Sequence, residues 1–296
     1  MTIRKQLARM TRRFRTATPD RPRALSDADL RAIAGAANRY FYLGAELALV
    51  RLNSGLLLYV DPLDEHVSAN IIAHGDWEIW VRDVVLSLLK PGARVVEVGA
   101  NVGYYTTTMA HAVGPAGHVT ALEANPRMAA LVQRSITLNG FASRTRVIPK
   151  AALDQPGAID FVVSRRNSGG GYVSLWEDQP YEDGEKLRVE AVRLDDQNLG
   201  SVDMIRIDAE GSEPFILRGA EAILRANPDI VICMEWSVVQ MSSRTSVADF
   251  VAWMGELGFG FWRIGYDAGL TPVPLDRLAS LDACDLVAAR RLPQRP

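Results

Sequence analysis

The chain has 296 residues, 48% of them apolar, and carries 33 Lys and Arg against 35 Asp and Glu for a net charge of -2. That is enough to bury a large core, as one domain or as a catalytic domain with a smaller attachment. A near-neutral balance argues against a general polyanion binder, because affinity for nucleic acid rests on a marked basic surface.

Residues 1–24 read as a basic tail in which Arg4, Lys5, Arg9, Arg12, Arg13, Arg15, Arg21 and Arg23 face one acid, Asp20. Such a composition favours disorder, with a basic helix lying on a membrane surface as the alternative. Residues 25–90 read as an N-terminal cap of helices and a hairpin. Ser26 and Asp29 suit the start of a helix running to about Phe41, and Leu47 to Val60 holds two apolar runs around Asn53-Ser-Gly55, a hairpin signal. From Glu65 to Leu89 the spacing is helical and puts Trp77, Trp80, Val81, Val84 and Leu88 on one stripe until Pro91-Gly92 ends it.

Residues 91–296 then alternate strands and helices. Strands are expected at 94–98, 117–122, 145–149, 158–163, 188–194, 203–207, 229–234, 260–265 and 284–290, and helices at 103–113, 126–138, 213–225 and 246–257. This rhythm predicts an α/β fold with a Rossmann-like, doubly wound, mostly parallel sheet, whose ligands sit beyond the carboxyl ends of the strands.

The first strand runs into the most informative segment, Arg94-Val-Val-Glu-Val-Gly-Ala-Asn-Val-Gly-Tyr-Tyr105. Gly99 and Gly103 let the backbone turn tightly beside a ligand, and the next helix aims its N–H groups at the turn. The second strand ends in Glu123, twenty residues past Gly103, where folds of this kind place the acid that takes hydrogen bonds from a ribose. Asn101 and Tyr104 stand where a nicotinamide fingerprint needs glycines, so pyrophosphate is disfavoured, and no Gly-Lys-Ser/Thr marks a Walker loop. A zwitterion fits better, with Glu97 meeting an ammonium group, directly or through water, and the Asn101 side chain and backbone N–H groups meeting a carboxylate. S-adenosylmethionine has such an amino-acid end.

The same residues resemble the FkbM-type S-adenosylmethionine-dependent methyltransferases. The likeness is carried by Glu97-Val-Gly-Ala-Asn-Val-Gly-Tyr104, Glu123-Ala-Asn-Pro126, Leu138-Asn-Gly140, Ile207-Asp-Ala-Glu-Gly-Ser-Glu213 and Leu217-Arg-Gly-Ala220, over roughly residues 60 to 240. It implies transfer of a methyl group, most simply to a hydroxyl of a sugar, lipid or secondary metabolite. It also implies cofactor contacts from Glu78, Glu97, Gly99, Ala100, Asn101, Gly103, Tyr104, Glu123, Ala124, Asn125 and Ala152. Glu78, at the start of a helix that the resemblance packs against the loop, equally suits the dipole of that helix. Arg206 stands where the resemblance implies Lys, and the two differ if that side chain touches a ligand.

Asp208 and Glu235 end two later strands and are the expected catalytic pair. A carboxylate beside the acceptor can take its proton, or the pair can hold a divalent cation such as magnesium, or the acids can cap the helices that follow. Glu210 and Glu213 sit where dipole complementarity alone accounts for them. Residues 164–186, rich in glycine at first and then carrying Trp176 and Tyr181, suggest a lid. Of four histidines without metal spacing, only His74 is placed to face substrate. Cys233 and Cys284 read as buried free thiols. With no apolar stretch of membrane-span length and no apolar signal core, the expected location is the cytoplasm. An NAD-dependent oxidoreductase and a non-catalytic cofactor-binding protein are the alternatives, and neither acceptor nor oligomeric state is selected by the residues.

Overall fold

A computed structural model describes residues 39–164, 166–174 and 184–293. The basic tail, the helix expected from Ser26, and the lid residues Trp176 and Tyr181 lie outside those residues. The chain from Arg39 onward forms one compact unit.

Three short strands come first: β1 (Tyr40–Gly44), β2 (Leu47–Arg51) and β3 (Leu57–Val60). They form an antiparallel meander in the order β1-β2-β3. The expected hairpin is there, but Tyr40 and Phe41 belong to an edge strand and not to the end of a helix. Aromatic and β-branched residues favour that outcome once β2 offers a partner ladder. Two helices follow, α1 (Val67–His74) and α2 (Ile79–Leu88), separated by Gly75 in the left-handed conformation.

The central sheet has eight strands. In chain order they are β4 (Arg94–Val98), β5 (His118–Leu122), β6 (Thr145–Ile148), β11 (Met204–Ile207), β12 (Val231–Trp236), β13 (Gly260–Ile264), β14 (Leu270–Val273) and β15 (Cys284–Ala289). Their spatial order is β14-β13-β15-β12-β11-β4-β5-β6. β12, β11, β4, β5 and β6 run parallel, whereas β15, β13 and β14 extend the sheet by antiparallel pairing. Strands buried on both faces read as unbroken apolar runs, and all four residues of β11 are buried, Arg206 among them.

Helices cover both faces. On one lie α1, α2, α3 (Tyr104–Ala112) and α4 (Pro126–Leu138), packed through Ile71, Val84, Met109 and Val132. On the other lie α5 (Glu213–Arg218), α6 (Glu221–Ala226), α7 (Val238–Ser242), α8 (Val247–Glu256) and α9 (Leu275–Leu278), packed through Leu217, Leu224, Phe250 and Met254. The helix expected over 213–225 is therefore two. The break falls at Gly219-Ala220, where Ala220 leaves helical dihedrals with φ of -116°, and Gly219 is needed there because a Cβ would stand 2.2 Å from the Leu153 carbonyl oxygen.

The strands expected at 158–163 and 188–194 do not join the central sheet. β7 (Ala151–Ala152), β8 (Gly157–Ser164), β9 (Tyr172–Ser174) and β10 (Gly184–Val192) make a second sheet, ordered β7-β10-β8-β9, with its own small core of Phe161, Val163, Val173 and Val189. β10 keeps Glu185, Lys186, Arg188 and Glu190 exposed, a pattern that suits one solvated face and not the interior of a parallel sheet. Asn139 ties the meander to α4: Leu57 N donates to its Oδ1 at 3.0 Å, and its Nδ2 donates to the Leu57 carbonyl at 2.6 Å.

Candidate active site

A cavity of about 540 Å³ opens at the carboxyl ends of the parallel strands, roofed by residues of the second sheet and flanked by the α1–α2 connection. Its size falls within the range of small-molecule sites. Every expected cofactor contact lines it except Glu97 and Gly103, and so do Asp208 and Glu235.

At one end of the cavity the acids are satisfied by backbone. Glu123 follows β5 and is 6% exposed; its Oε2 accepts from Asn101 N at 2.6 Å and its Oε1 from Asn125 N at 2.8 Å. Burial pushes its carboxyl up to about 7, against the pull of those two N–H groups. Each oxygen keeps lone-pair capacity for a hydroxyl donor. Asn101 adopts a left-handed backbone, with φ of 51°. Its N–H is spent on Glu123, so only its side chain remains for a ligand, and Oδ1 is buried without a hydrogen-bond partner among the described residues. Ala100, Ala124 and Ala152 leave room beside it. Asn125 caps α4 by accepting from Arg127 N. Tyr104 presents its ring, since its hydroxyl donates to Asp76 at 2.9 Å. Asp76 also accepts from Asn53 of the hairpin turn and Arg82 of α2, and so locks the meander and both helix ends to the loop.

Gly99 has a different reason from the one its motif suggests. Its φ is +82°, and a Cβ would fall 1.8 Å from the Asp208 carbonyl oxygen, so any side chain there collides with protein before it meets a ligand. Gly103 likewise faces Val132 of α4, not the cavity. Glu97 is fully buried beneath the loop and cannot meet an ammonium directly. Its Oε2 accepts from Thr106 Oγ1 at 2.5 Å, its Oε1 lies 3.7 Å from Arg206 Nη1, and burial raises its carboxyl to about 7.

The strand registers explain that pairing. Arg206 sits beside Glu97 on one side and Cys233 on the other, all on one face of the sheet. Two residues further on, the same face carries Asp208 after β11 and Glu235 on β12, and Glu235 pairs in turn with Asp285 on β15. The Arg206 guanidinium stacks 3.8 Å from the centroid of the Tyr105 ring and donates to Asp208 Oδ2 at 2.9 Å. A planar fork reaches both acids while lying on the ring, which a Lys ammonium would not do.

This second end is crowded with carboxyls. Burial first, then Asp208, Glu210, Glu213 and Asp285, push Glu235 up to about 9. Glu210 rises to about 7 and Asp285 to about 6, each by burial and then by Asp208. One oxygen from each of Asp208, Glu210 and Glu235 lies within 4.8 Å of the others. Glu210, left to the helix dipole by the sequence, instead turns into the cavity through a left-handed backbone with φ of 51°. Glu213 stays out of the cavity and accepts from Ala209 N at 2.9 Å, a turn-capping role. Glu78 makes no capping bond; it accepts from Tyr105 Oη at 3.2 Å and is raised to about 7 by burial and by Asp208. His74 does not line the cavity. Ser164, Ser168 and Gly169 do, and Ser168 is fastened to Asp64 by its backbone and hydroxyl. Cys233 is buried, whereas Cys284 is partly exposed at the cavity wall, and both are free.

The parallel sheet, the glycine turn after its first strand and the buried acid after the second place the chain in the class of α/β folds that bind a nucleoside at the carboxyl ends of their strands. Within that class, a family model for the methyltransferase FkbM domain matches residues 97–261, and the chain belongs to that family. Over 67 residues it is 40% identical to a protein-L-isoaspartate O-methyltransferase of Hyperthermus butylicus, covering 20% of this chain and 28% of that one. A second such enzyme, from Methanothrix thermoacetophila, is 40% identical over 48 residues, covering 16% and 23%. The chain thus spans about a quarter of these curated relatives. Among solved structures it is similar to the methyltransferase FkbM of Methylobacillus flagellatus KT, at 16% identity and a TM-score of 0.43 over 68% of this chain and 44% of that one. A TehB-like S-adenosylmethionine-dependent methyltransferase of Corynebacterium glutamicum gives 10% identity and 0.44 over 76% and 94%. No helix of the described residues is long and apolar enough to cross a membrane.

Proposed function

We propose that the protein methylates a hydroxyl oxygen on a small acceptor, a sugar, lipid or secondary metabolite, with Asp208 and Glu235 as the acids that handle it. The observation that carries this reading is the cluster of Asp208, Glu210 and Glu235 carboxyls at the end of the cavity away from Glu123, in which Glu235 Oε2 has no hydrogen-bond partner among the described residues. Glu123 would hold the ribose, and Asn101 with its free Oδ1 would take an N–H of the amino-acid end. Bound there, S-adenosylmethionine supplies a methyl group on a cationic sulfur.

A hydroxyl is a poor nucleophile until its proton is taken. Asp208, one-third exposed and held by Arg206 Nη2, is an acceptor placed to remove that proton as the oxygen's electron pair turns to carbon. Glu235, with its carboxyl near 9, is protonated at neutral pH and donates a hydrogen bond that orients the acceptor. Alignment of the two substrates supplies much of the acceleration, because a sulfonium methyl is already activated. A methyl-transfer assay against hydroxyl, amine and carboxylate acceptors tests the reading; transfer to amines alone would refute it.

A further inference from the structure

We propose that the acceptor is a compact ring with hydroxyls around its edge, whose flat face stacks on Trp80 and Tyr266. This rests on the hydroxyl reading and narrows it, because it turns away acyl-chain lipids. The two side chains come to one cavity from distant parts of the chain: Trp80 stands in the first turn of α2, and Tyr266 in the turn between β13 and β14. Their ring centroids lie 4.8 Å apart, with the planes at 70°. Trp80 is packed against the core on one side, whereas Tyr266 is 86% exposed, so burial does not hold it there. The turn does. Gly265 N donates to the Gly269 carbonyl at 2.9 Å, Ala268 N to the Gly265 carbonyl at 2.8 Å, and Gly269 N to Asp267 Oδ1 at 2.9 Å, with Ala268 closing the turn at a φ of 57°. An aromatic ring fixed at a cavity wall and left open to solvent offers its face to a ligand.

The neighbouring wall decides what kind of ligand. The β13–β15 pairing ends with Arg263 opposite Leu286, and the next residue of each strand on that side, Ile264 and Asp285, lines the cavity. Asp285 is in turn opposite Glu235, so the aromatic pair continues through Ile264 into the carboxyl end. An acyl chain drawn across that wall would take water from Asp285, Glu235 and Asp208 and return no hydrogen bond, which is costly for each group. A ring with an apolar face and a hydroxyl edge meets both surfaces at once. Sites built to hydrogen-bond a hydroxyl reject analogues that lack it far more strongly than apolar walls reject a change of bulk.

The test is a saturation-transfer NMR titration of the full-length protein loaded with S-adenosylhomocysteine, so that no turnover intervenes. The probes are methyl glucopyranoside, catechol and, as the acyclic control, a hexanediol with adjacent hydroxyls. At least one ring should bind several-fold more tightly than the diol, and which of the two does so separates a saturated ring from an aromatic one. Y266F should bind it as wild type does. Y266L, which keeps apolar bulk without a flat ring at an exposed position, should weaken it by about three- to tenfold, the scale of one aromatic contact. Equal binding of the diol, equal binding by Y266L, or no ring bound by the wild type overturns the inference. Rings bound through Tyr266 while methyl transfer reaches amines alone keep the ring and refute the hydroxyl reading; transfer to the diol hydroxyl that Y266L leaves unchanged does the reverse.

Discussion

The two ends of the cavity treat their carboxyls in opposite ways. Glu123 is closed off from water but answered by two backbone N–H groups within the same loop, both under 3 Å away. Glu235 is enclosed too, yet it stands among Asp208, Glu210, Glu213 and Asp285 and has an oxygen with no hydrogen-bond partner among the described residues. One end is finished by the protein's own backbone, so it can recognise a constant ligand. The other is left unsatisfied, and a buried group without a partner is the kind of cost that functional sites retain.

The largest expected effect breaks the reactive end alone. D208N should keep cofactor affinity and lower the methyl-transfer rate by roughly 10²–10⁴-fold, the range of a lost general base, under saturating substrates. A near-normal rate with chemistry rate-limiting would return Asp208 to a structural role.

Next comes a substitution that strikes both ends at once. G99A places a Cβ against the Asp208 carbonyl and forces a left-handed alanine, so it should destabilise the fold by about 2–4 kcal/mol, read from denaturant unfolding. If the variant is as stable as wild type but loses S-adenosylhomocysteine, the glycine serves the ligand after all.

At the finished end, E123A should weaken S-adenosylhomocysteine by about 1–3 kcal/mol in a calorimetric titration, as hydrogen bonds to a charged group are lost. An equal loss for an analogue lacking both ribose hydroxyls would remove Glu123 from the ribose.

The smallest effect sharpens the electrostatic contrast. Glu235 is held protonated in the fold to about 9, whereas unfolded it ionises near 4.5. Between those values the native state binds more protons than the unfolded state, so stability falls as pH rises through that window. In metal-free buffer, E235Q should flatten this decline between pH 5 and 8 in thermal unfolding. An unchanged slope would mean that Glu235 ionises normally.

Legibility followed the same division. The glycine loop that lines the cavity could be read because its contacts are local: Gly99 to Tyr104 are contiguous, and Asn101 and Asn125 both donate to Glu123 at the end of one neighbouring strand. Glu97 lies beside the loop in sequence, but the fold buries it beneath the loop against its across-strand partner Arg206, which the chain order does not show. Asp285 was missed for a topological reason. The search for acids at carboxyl ends of strands is sound for parallel strands, but β15 runs antiparallel, so its first residues reach the same rim. The visible signal was an acid opening the apolar run Cys284-Asp-Leu-Val-Ala-Ala289.

The sequence by itself determined the α/β class, the alternation from Arg94 to Leu138, the glycine turn and the kind of cofactor, since those follow from periodicity and from residues close together in the chain. Only the tertiary structure decided that β8 and β10 pair in a second sheet, whose β8 and β9 roof the cavity, that Gly99 yields to a backbone carbonyl, and that Asp208, Glu210, Glu235 and Asp285 meet. Those outcomes depend on register between strands distant in sequence, and a register is set by the packing of whole faces rather than by any local run of residues.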